Sequence, residues 1–286
     1  TWETIGTICG GIIFTFLFIP HLNSFQIAFL ISFFNLIICL FFFRRVTKIF
    51  RYILLLLIFL IGYFSLNGGI NYIHRLSIDK LWNNQQVLDY RNSVYGNITV
   101  TKQLEQYTFF YNGIPTITTP YPDKQFVEDF GHLPLLFHHA PKDILIISAG
   151  AGGLINEILK HPIKNLDYAE LDPLIIDMLK KYPTKLTETE LKDKRVNIVN
   201  LDGRFFIRST HNKYDIVLIG ISNPSDLSTN RLFTQEFFSL IRGRLNQDGI
   251  FAFWLPGSLT YISEELRDLN ICILNALRNV FNFVRI

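Results

Sequence analysis

The sequence predicts an α/β protein that begins with transmembrane helices, continues through a small β-domain and ends in a domain with a mostly parallel sheet. Three observations predict this fold: long uncharged apolar runs near the start, alternating β-branched and aromatic residues in 86–120, and strands that alternate with helices from 121 onward. We therefore divide the 286 residues into a membrane anchor at 1–73, a connector and small β-rich domain at 74–120, and an α/β domain at 121–286.

Composition excludes several classes of protein. Hydrophobic residues make up 49% of the chain and aromatic residues 15%, which excludes intrinsic disorder. The three cysteines are too few and too scattered for a disulfide scaffold. The net charge of +3 arises in residues 1–67, which hold four basic residues and one acidic residue, while the remaining 23 basic and 23 acidic residues balance. Because a nucleic-acid binder needs a basic surface, we expect no nucleic-acid partner.

The anchor contains two to three predicted membrane spans. Phe25–Phe43 runs for 19 residues and Tyr52–Ile73 for 22 without a charge, close to the length of about 20 residues that crosses a bilayer. Thr4–Pro20 is a weaker run of 17 residues. The alternative is a signal peptide followed by a buried helix, but three apolar runs in series exceed one signal sequence.

The orientation of the anchor conflicts with the rest of the prediction. The loop between the second and third runs carries Arg44, Arg45, Lys48 and Arg51, and the positive-inside rule places such a loop in the cytoplasm. The third span would then carry the α/β domain to the opposite side, away from cytosolic nucleosides. The side of the membrane that holds this domain is left open.

Both ends of the chain suggest a fragment. The sequence begins at Thr1 without a methionine, and Phe281–Ile286 alternates in polarity like the start of a strand. We therefore expect the last domain to be truncated at its C-terminus.

A hairpin is predicted in the β-rich region. Ser93–Thr101 alternates in polarity, and Tyr107–Tyr111 is aromatic and β-branched. Asn112-Gly113 is the predicted turn to a further strand at Ile114–Thr119.

After residue 121, strands and helices alternate, as in a parallel sheet that is covered on both faces. The predicted strands are Asp143–Ser148, Asn165–Glu170, Arg195–Asn200, Tyr214–Gly220 and Gly249–Leu255. The predicted helices are Gly152–His161, Pro173–Tyr182, Phe205–Ser209, Arg231–Leu245 and Ser263–Val280.

Small residues follow the first of these strands at 148–153, where they allow a sharp turn and a close approach to a ligand at the start of the next helix. Glu170 ends the second strand, 20 positions beyond Gly150, where an acid accepts hydrogen bonds from ribose hydroxyls. Asp202 follows the third strand and can accept a hydrogen bond from an adenine amino group. The sequence therefore predicts a nucleoside site at Gly150, Gly152, Glu170 and Asp202, with unrelated loop features on a generic domain as the alternative.

Several motifs in this order resemble the polyamine aminopropyltransferases, the spermidine synthase family. They are Tyr95–Ile98, Asn112–Pro115, Ile144–His161, Tyr168–Pro173, Asp202–Arg204, Tyr214-Asp215 and Arg231–Phe238. The apolar runs resemble the subgroup in which this unit is fused behind transmembrane helices. The resemblance covers residues 86–286 and implies a methyltransferase-like, Rossmann-like domain that follows the small β-domain.

The resemblance also implies a reaction. Such enzymes transfer an aminopropyl group from decarboxylated S-adenosylmethionine, a co-substrate rather than a permanently bound cofactor, to an amine such as putrescine. The amine attacks the carbon beside the sulfonium and releases methylthioadenosine, and a base must take the proton of the amine. We expect an integral protein of the bacterial inner membrane that contacts lipid and binds a small-molecule amine, with a homodimer as one option for its assembly.

Positions that face the amine depart from the family pattern. The resemblance implies an acid in the glycine loop, a second acid that acts as the base after the fourth strand, and a third acid before the following proline. These positions hold Ala151, Gly220 and Asn223. The base is therefore unassigned, and its loss should lower the rate by about 10²–10⁴.

Two acids remain as candidate contacts for the amine. The family's Tyr-His pair aligns with Phe126-Val127, where only Glu128 is acidic, so we assign Asp123 and Glu128 as candidate substrate-binding residues. The neighbouring His132, His138 and His139 suggest a metal site with Glu128, but their amphipathic segment favours solvated or helix-packing histidines, and we predict no metal.

The departures keep two other functions open. One is a catalytically degenerate, nucleoside-binding membrane protein. The other is a methyltransferase that uses S-adenosylmethionine itself, because Asn223-Pro224 loosely resembles the Asn-Pro motif of amino-methylating enzymes. The identity of the bound nucleoside, and the release of a product, would distinguish the three functions. Asp172 is assigned to none of them, because it is a predicted N-cap for the helix that begins at Pro173.

Overall fold

The computed structural model describes residues 1–42, 48–83, 85–221, 224, 226–258 and 260–286. They form two compact units. The first unit consists of Thr1–Leu104 with Phe109–Ile114, and the second of Glu105–Thr108 with Pro115–Ile286. Arg44 and Arg45, on which the predicted membrane orientation depends, lie outside the described residues.

The first unit begins with helices whose apolar side chains are exposed. They are α1 (Trp2–Ile13), a π-helical turn (Phe14–Phe18), α2 (Ile19–His21), α3 (Ser24–Phe42), α4 (Lys48–Leu66) and α5 (Gly69–Leu81). Three stretches are long and apolar enough to cross a membrane: Trp2–His21, Ser24–Phe42 and Lys48–Leu66.

The third apolar run is shorter than the sequence predicts. The predicted span continues to Ile73, but α4 ends at Leu66 and a separate helix, α5, begins at Gly69. Gly68 has a left-handed conformation with φ at 73°, which interrupts the helix between them. The segment after Gly68 is therefore a separate helix, where the sequence predicts the end of the third span and then a connector.

A four-stranded sheet follows, in the order β1-β2-β3-β4. Its strands are β1 (Gln86–Asn92), β2 (Asn97–Gln103), β3 (Gln106–Tyr111) and β4 (Ile114–Thr119). Asn112 and Gly113 both have positive φ values, 51° and 80°, as a type I′ turn between β3 and β4 requires. The predicted hairpin is confirmed.

The second unit is built on a five-stranded sheet with the order β7-β6-β5-β8-β9, in which every neighbouring pair is parallel. The strands are β5 (Asp143–Ile147), β6 (Asn165–Ala169), β7 (Val196–Val199), β8 (Tyr214–Ile219) and β9 (Leu245–Phe253). Its helices are α6 (Lys124–Phe137), α7 (Leu154–Leu159), α8 (Pro173–Lys181), α9 (Lys185–Lys192), α10 (Gly203–Ser209), α11 (Leu227–Asn230), α12 (Gln235–Arg244) and α13 (Glu264–Arg278). The predicted parallel, Rossmann-like α/β fold is confirmed.

Burial explains why β5 lies at the centre of this sheet. Ile144–Ile147 have no exposed surface, because helices cover both faces of a parallel sheet. The chain leaves β5 toward β6 and later returns to β8 on the other side. The carboxyl ends of β5 and β8 therefore flank the topological switch point, where ligands bind in open α/β sheets.

Three of the differences from the prediction, two shifted boundaries and one additional helix, have local reasons. The predicted helix 231–245 begins only at Gln235, because the Thr234 hydroxyl accepts a hydrogen bond from the Phe237 N–H and caps α12. Strand β9 begins at Leu245, before the predicted strand, because a register shift allows Leu245 to pair with Tyr214. Helix α9 is not predicted, because its buried side chains are polar, Thr187 and Glu190.

Candidate functional site

The loop after β5 lies at the switch point and has an unusual backbone. Ser148 and Ala149 have φ values of 59° and 49°, although neither is glycine. Gly152 and Gly153 have φ values of 95° and 132°, in a region that side-chain-bearing residues rarely adopt. The sharp turn predicted for 148–153 is therefore present.

The glycines of this loop are needed for packing. A Cβ added to Gly150 would lie 3.0 Å from the Ile146 Cγ2 atom and 3.1 Å from the Tyr168 ring. One added to Gly152 would lie 2.6 Å from the Ile117 Cγ2 atom. The loop thus lies directly against its protein neighbours, and the close approach to a ligand at Gly150 and Gly152 stays a prediction.

Glu170 follows β6 and holds this loop. Its side chain is 4% exposed, and it accepts hydrogen bonds from the Ala149 N–H at 3.2 Å, the Tyr168 hydroxyl at 2.6 Å and the Leu171 N–H at 2.9 Å. Burial raises the pKa of Glu170, and these hydrogen bonds oppose the rise because they favour the charged form. The Asp172 backbone is a further donor to this carboxylate, so a ribose hydroxyl would have to share or displace one of the present donors.

Asp202 follows β7 and begins α10. Its carboxylate accepts a hydrogen bond from the Phe205 N–H at 2.9 Å and forms an ion pair with Arg231. Arg204 donates a hydrogen bond at 3.3 Å to the backbone carbonyl of Arg231. Arg231 therefore fixes the carboxylate for which the sequence predicts an adenine contact.

Gly220 follows β8, at the position where the family resemblance implies the base. Its N–H donates a hydrogen bond to the Ile147 carbonyl at 3.0 Å. A Cβ added here would overlap the carbonyl oxygen of Ser148 and lie 3.1 Å from the Cβ and carbonyl oxygen of Ala149. The present loop conformation therefore leaves no space for an acid. Asn223, the other predicted departure, lies outside the described residues, and Ala151 is buried.

Glu190 lies on α9, has no exposed surface and is not among the site residues that the sequence predicts. Its carboxylate accepts hydrogen bonds from three backbone N–H groups: Gly152 at 2.7 Å, Gly153 at 2.6 Å and Asn156 at 3.1 Å. Burial raises the pKa of Glu190 to about 7, and these hydrogen bonds oppose that rise. Apolar periodicity gives no signal for this residue, because the buried face of its helix is polar.

A groove of about 520 Å³ runs along α6 beside the end of β9. It is lined by Asp123, Gln125, Phe126, Asp129, Phe130, Leu133, Pro134, Ala252, Phe253 and Trp254. The Phe126 and Trp254 rings pack edge to face at 5.0 Å. Carboxylates beside aromatic rings and apolar side chains can hold an amine cation with an aliphatic chain.

The two predicted amine contacts occupy different positions. Asp123 lines the groove and also caps α6, where it accepts a hydrogen bond from the Phe126 N–H at 3.1 Å. Glu128 is exposed and lies outside the groove lining. Asp129, the next residue, lines the groove instead and is not among the site residues that the sequence predicts. Neighbouring residues of a helix point about 100° apart, which separates Glu128 from Asp129.

The histidines considered for a metal site have protein partners. His132 Nδ1 lies 2.7 Å from His161 Nε2, and His132 Nε2 lies 3.0 Å from a Glu157 oxygen. His138 Nδ1 accepts a hydrogen bond from the Ala140 N–H. Across the described ranges, no group of three or more His, Cys, Asp and Glu side chains is arranged to hold a metal ion.

The prediction for Asp172 is confirmed. Its side chain accepts a hydrogen bond from the Leu174 N–H at 3.0 Å, which caps α8 at Pro173. This carboxylate therefore stabilises the helix start.

Comparisons with known proteins agree on the family. The model of the Spermine/spermidine synthase domain matches residues 124–270, which is more than half of the chain. Polyamine aminopropyltransferase 2 of Aquifex aeolicus is 26% identical over 253 residues, which cover 87% of this chain and 50% of the relative. The polyamine aminopropyltransferase of Buchnera aphidicola is 31% identical over 180 residues, or 63% of this chain and 59% of the relative. The chain thus spans about half the length of the curated relatives it matches.

Solved structures share the fold. A spermidine synthase in complex with the transition-state analogue AdoDATO superposes with a TM-score of 0.59 at 26% identity, over 69% of this chain and 66% of that one. The spermidine synthase from Thermotoga maritima gives a TM-score of 0.57 at 26% identity, over 69% and 65%. With the matched domain and the relatives, these structures establish that the chain belongs to the spermine/spermidine synthase domain family.

Proposed function

We propose that this chain is a membrane-anchored aminopropyltransferase of the spermidine synthase type, which transfers an aminopropyl group from decarboxylated S-adenosylmethionine to an amine in polyamine biosynthesis. One observation carries the proposal. The loop at 148–153 follows β5 at the switch point, and the Glu170 and Asp202 carboxylates follow β6 and β7 at the same edge of the sheet, in a domain that also has an acidic, aromatic groove. The curated relatives that match the chain are named polyamine aminopropyltransferases.

The donor would bind at the switch point. The Glu170 carboxylate would accept a hydrogen bond from a ribose hydroxyl in place of one of its present donors, and Asp202 would accept one from the amino group of adenine. Gly150 and Gly152 give the loop its shape. No cofactor needs to be bound permanently, because the donor itself carries the sulfonium that leaves.

The amine would bind in the groove along α6. Asp123 and Asp129 would attract its cationic nitrogen, and the Phe126 and Trp254 rings would pack on its methylene chain. The attacking nitrogen forms a bond to the carbon beside sulfur, the C–S bond breaks, and methylthioadenosine leaves with the electron pair. The proton lost by nitrogen would pass to a groove carboxylate or to solvent, because Gly220 offers no base. Glu128 stays a prediction for the amine site.

Membrane anchoring rests on the N-terminal helices. Three of them are long and apolar enough to span a bilayer, which supports the proposed anchor at 1–73 and contact with lipid. The Aquifex aeolicus match covers 87% of the chain, whereas residues 86–286 are only 201 of the 286 residues, so the match extends into the apolar helices. An integral protein of a bacterial inner membrane, the domain limits at 73 and 120, and a homodimer remain proposals.

A catalytically degenerate nucleoside-binding protein is the second candidate. The observation that favours it is the contact at Gly220, where the Ser148 carbonyl occupies the space that an acidic side chain would need. The methyltransferase alternative depends on Asn223, which lies outside the described residues.

The test uses the full chain in detergent with decarboxylated S-adenosylmethionine and a panel of diamines and polyamines, and mass spectrometry of released methylthioadenosine. Release by the wild type that is lost in Glu170→Ala, but kept in Glu188→Ala, would support the transferase. Glu188 is an exposed acid on α9 that pairs with Lys192, so its loss is a matched control. Donor binding without release would favour the degenerate protein, and turnover of S-adenosylmethionine would favour the methyltransferase.

A further inference from the structure

A buried carboxylate supports the glycine loop from the side of α9. Three backbone N–H groups donate hydrogen bonds to Glu190. They belong to Gly152, Gly153 and Asn156, at the end of the loop and the start of α7. Glu170 accepts a hydrogen bond from the Ala149 N–H at the other end of the same loop. Two carboxylates from different elements therefore hold the loop at both ends.

The chemistry of Glu190 is specific to a carboxylate. One of its oxygens accepts a hydrogen bond from Gly152, and the other accepts from Gly153 and Asn156. A glutamine has the same length but only one acceptor oxygen, so its NH₂ group would face at least one of these donors. A buried N–H group without an acceptor loses its hydration and gains nothing in return.

Helix α9 is itself held in position. Thr184 and Thr187 form a capping box at its start, and the Thr184 hydroxyl lies 2.5 Å from the hydroxyl of Thr119. Glu190 therefore projects from an anchored element, and a shift of α9 does not readily compensate for its loss. The charged group that faces Glu190 from α7 is Glu157, which is paired with Lys160 and His132.

We propose that Glu190 is a positioning residue of the nucleoside site, which holds Gly152 and Gly153 in their left-handed conformations so that the loop fits the donor. The proposal deepens the proposed function, because the claim that the loop fits the donor rests on that function. The hold of Glu190 on the loop is independent of any ligand.

Hydrogen–deuterium exchange of the ligand-free full chain tests that hold. In the wild type, the Gly152 and Gly153 amides should be protected, although they lie outside regular secondary structure. In Glu190→Gln, peptides that cover 148–156 should exchange about 10- to 100-fold faster, while peptides from β5 and the control Glu188→Gln stay unchanged. Unprotected glycine amides in the wild type would overturn the proposal even if the variant failed to fold.

A second experiment measures methylthioadenosine binding by calorimetry and, where turnover occurs, determines the donor KM and kcat by steady-state kinetics. Glu190→Gln should weaken binding and raise the donor KM by about 10- to 100-fold with a smaller change in kcat, and Glu190→Asp, which keeps both oxygens, should lie between it and the wild type. Faster loop exchange with unchanged nucleoside affinity would refute the positioning role. If the wild type bound no nucleoside, the proposed function would fail, and the positioning role would be refuted with it. The hydrogen–deuterium exchange experiment would still show whether Glu190 anchors the loop, because it uses no ligand.

Discussion

Replacing Gly220 by alanine adds one methyl group at the most crowded point of the switch site. The new Cβ would overlap the Ser148 carbonyl oxygen and lie 3.1 Å from two atoms of Ala149. These atoms belong to a loop whose Ala149 N–H donates a hydrogen bond to Glu170, and this hydrogen bond restrains the loop from moving aside. Overpacking of this kind costs about 1–3 kcal/mol. For a unit of this size, that cost lowers Tm by about 2–12 °C.

The assay is thermal unfolding of the full chain in detergent, with methylthioadenosine binding measured on the same samples. Gly243→Ala is the matched control, because Gly243 lies in α12 and a Cβ there meets no atom within 4 Å. It should leave Tm unchanged or raise it slightly, since alanine is favoured over glycine in helices by about 0.5–1 kcal/mol. If Gly220→Ala has the Tm and the nucleoside affinity of the wild type, the close contact of Gly220 with Ser148 and Ala149 is refuted.

Three further predictions address the groove, the buried acid and a helix cap. Asp129→Asn should raise the amine KM about 10-fold with little change in donor KM, because it removes a charge from the groove, and steady-state kinetics would detect this. Burial raises the pKa of Glu190 from 4.5 to about 7, so this side chain ionises at lower pH in the unfolded chain than in the folded one, and its ionisation lowers stability as the pH rises from about 4.5 through 7. The fall in Tm between pH 5 and 8 should therefore be smaller in Glu190→Gln, and an equal fall would contradict this assignment. Asp172→Ala should cost about 1 kcal/mol, or about 2–4 °C in Tm, through the lost cap of α8, and no change in melting would contradict that role.

The central strands could be predicted closely from the sequence. Strands β5, β6 and β8 agree with the predicted strands to within one residue, because strands buried on both faces are rich in apolar residues. The turn at Asn112-Gly113 could be predicted from the dipeptide alone. Gly68 and Gly69 interrupt the third apolar run, so a break there could be predicted, but the helix α5 that follows could not, because the mixed polarity of its residues favours a connector.

For the site, spacing along the chain was enough to place Glu170 and Asp202 at the carboxyl ends of neighbouring strands, although their ligand roles stay predictions. Their partners could not be predicted, because those contacts join distant segments. Arg231 is 29 residues from Asp202, and Glu190 is 38 residues from Gly152. Helix periodicity also gave no reason to prefer Asp129 over Glu128, since both are charged residues on one amphipathic helix.

The contact between Gly220 and Ser148 has a consequence for how this sequence can evolve. A mutation that placed an acid at position 220 would first meet the loop carbonyl, so it would reduce stability before it could improve any chemistry. Changes that move the loop at 148–149 would have to come earlier, and alone they would offer no advantage. The order of mutations is therefore constrained, and a lineage with this loop conformation is more readily selected for a carboxylate elsewhere, such as in the groove, than for an acid at 220.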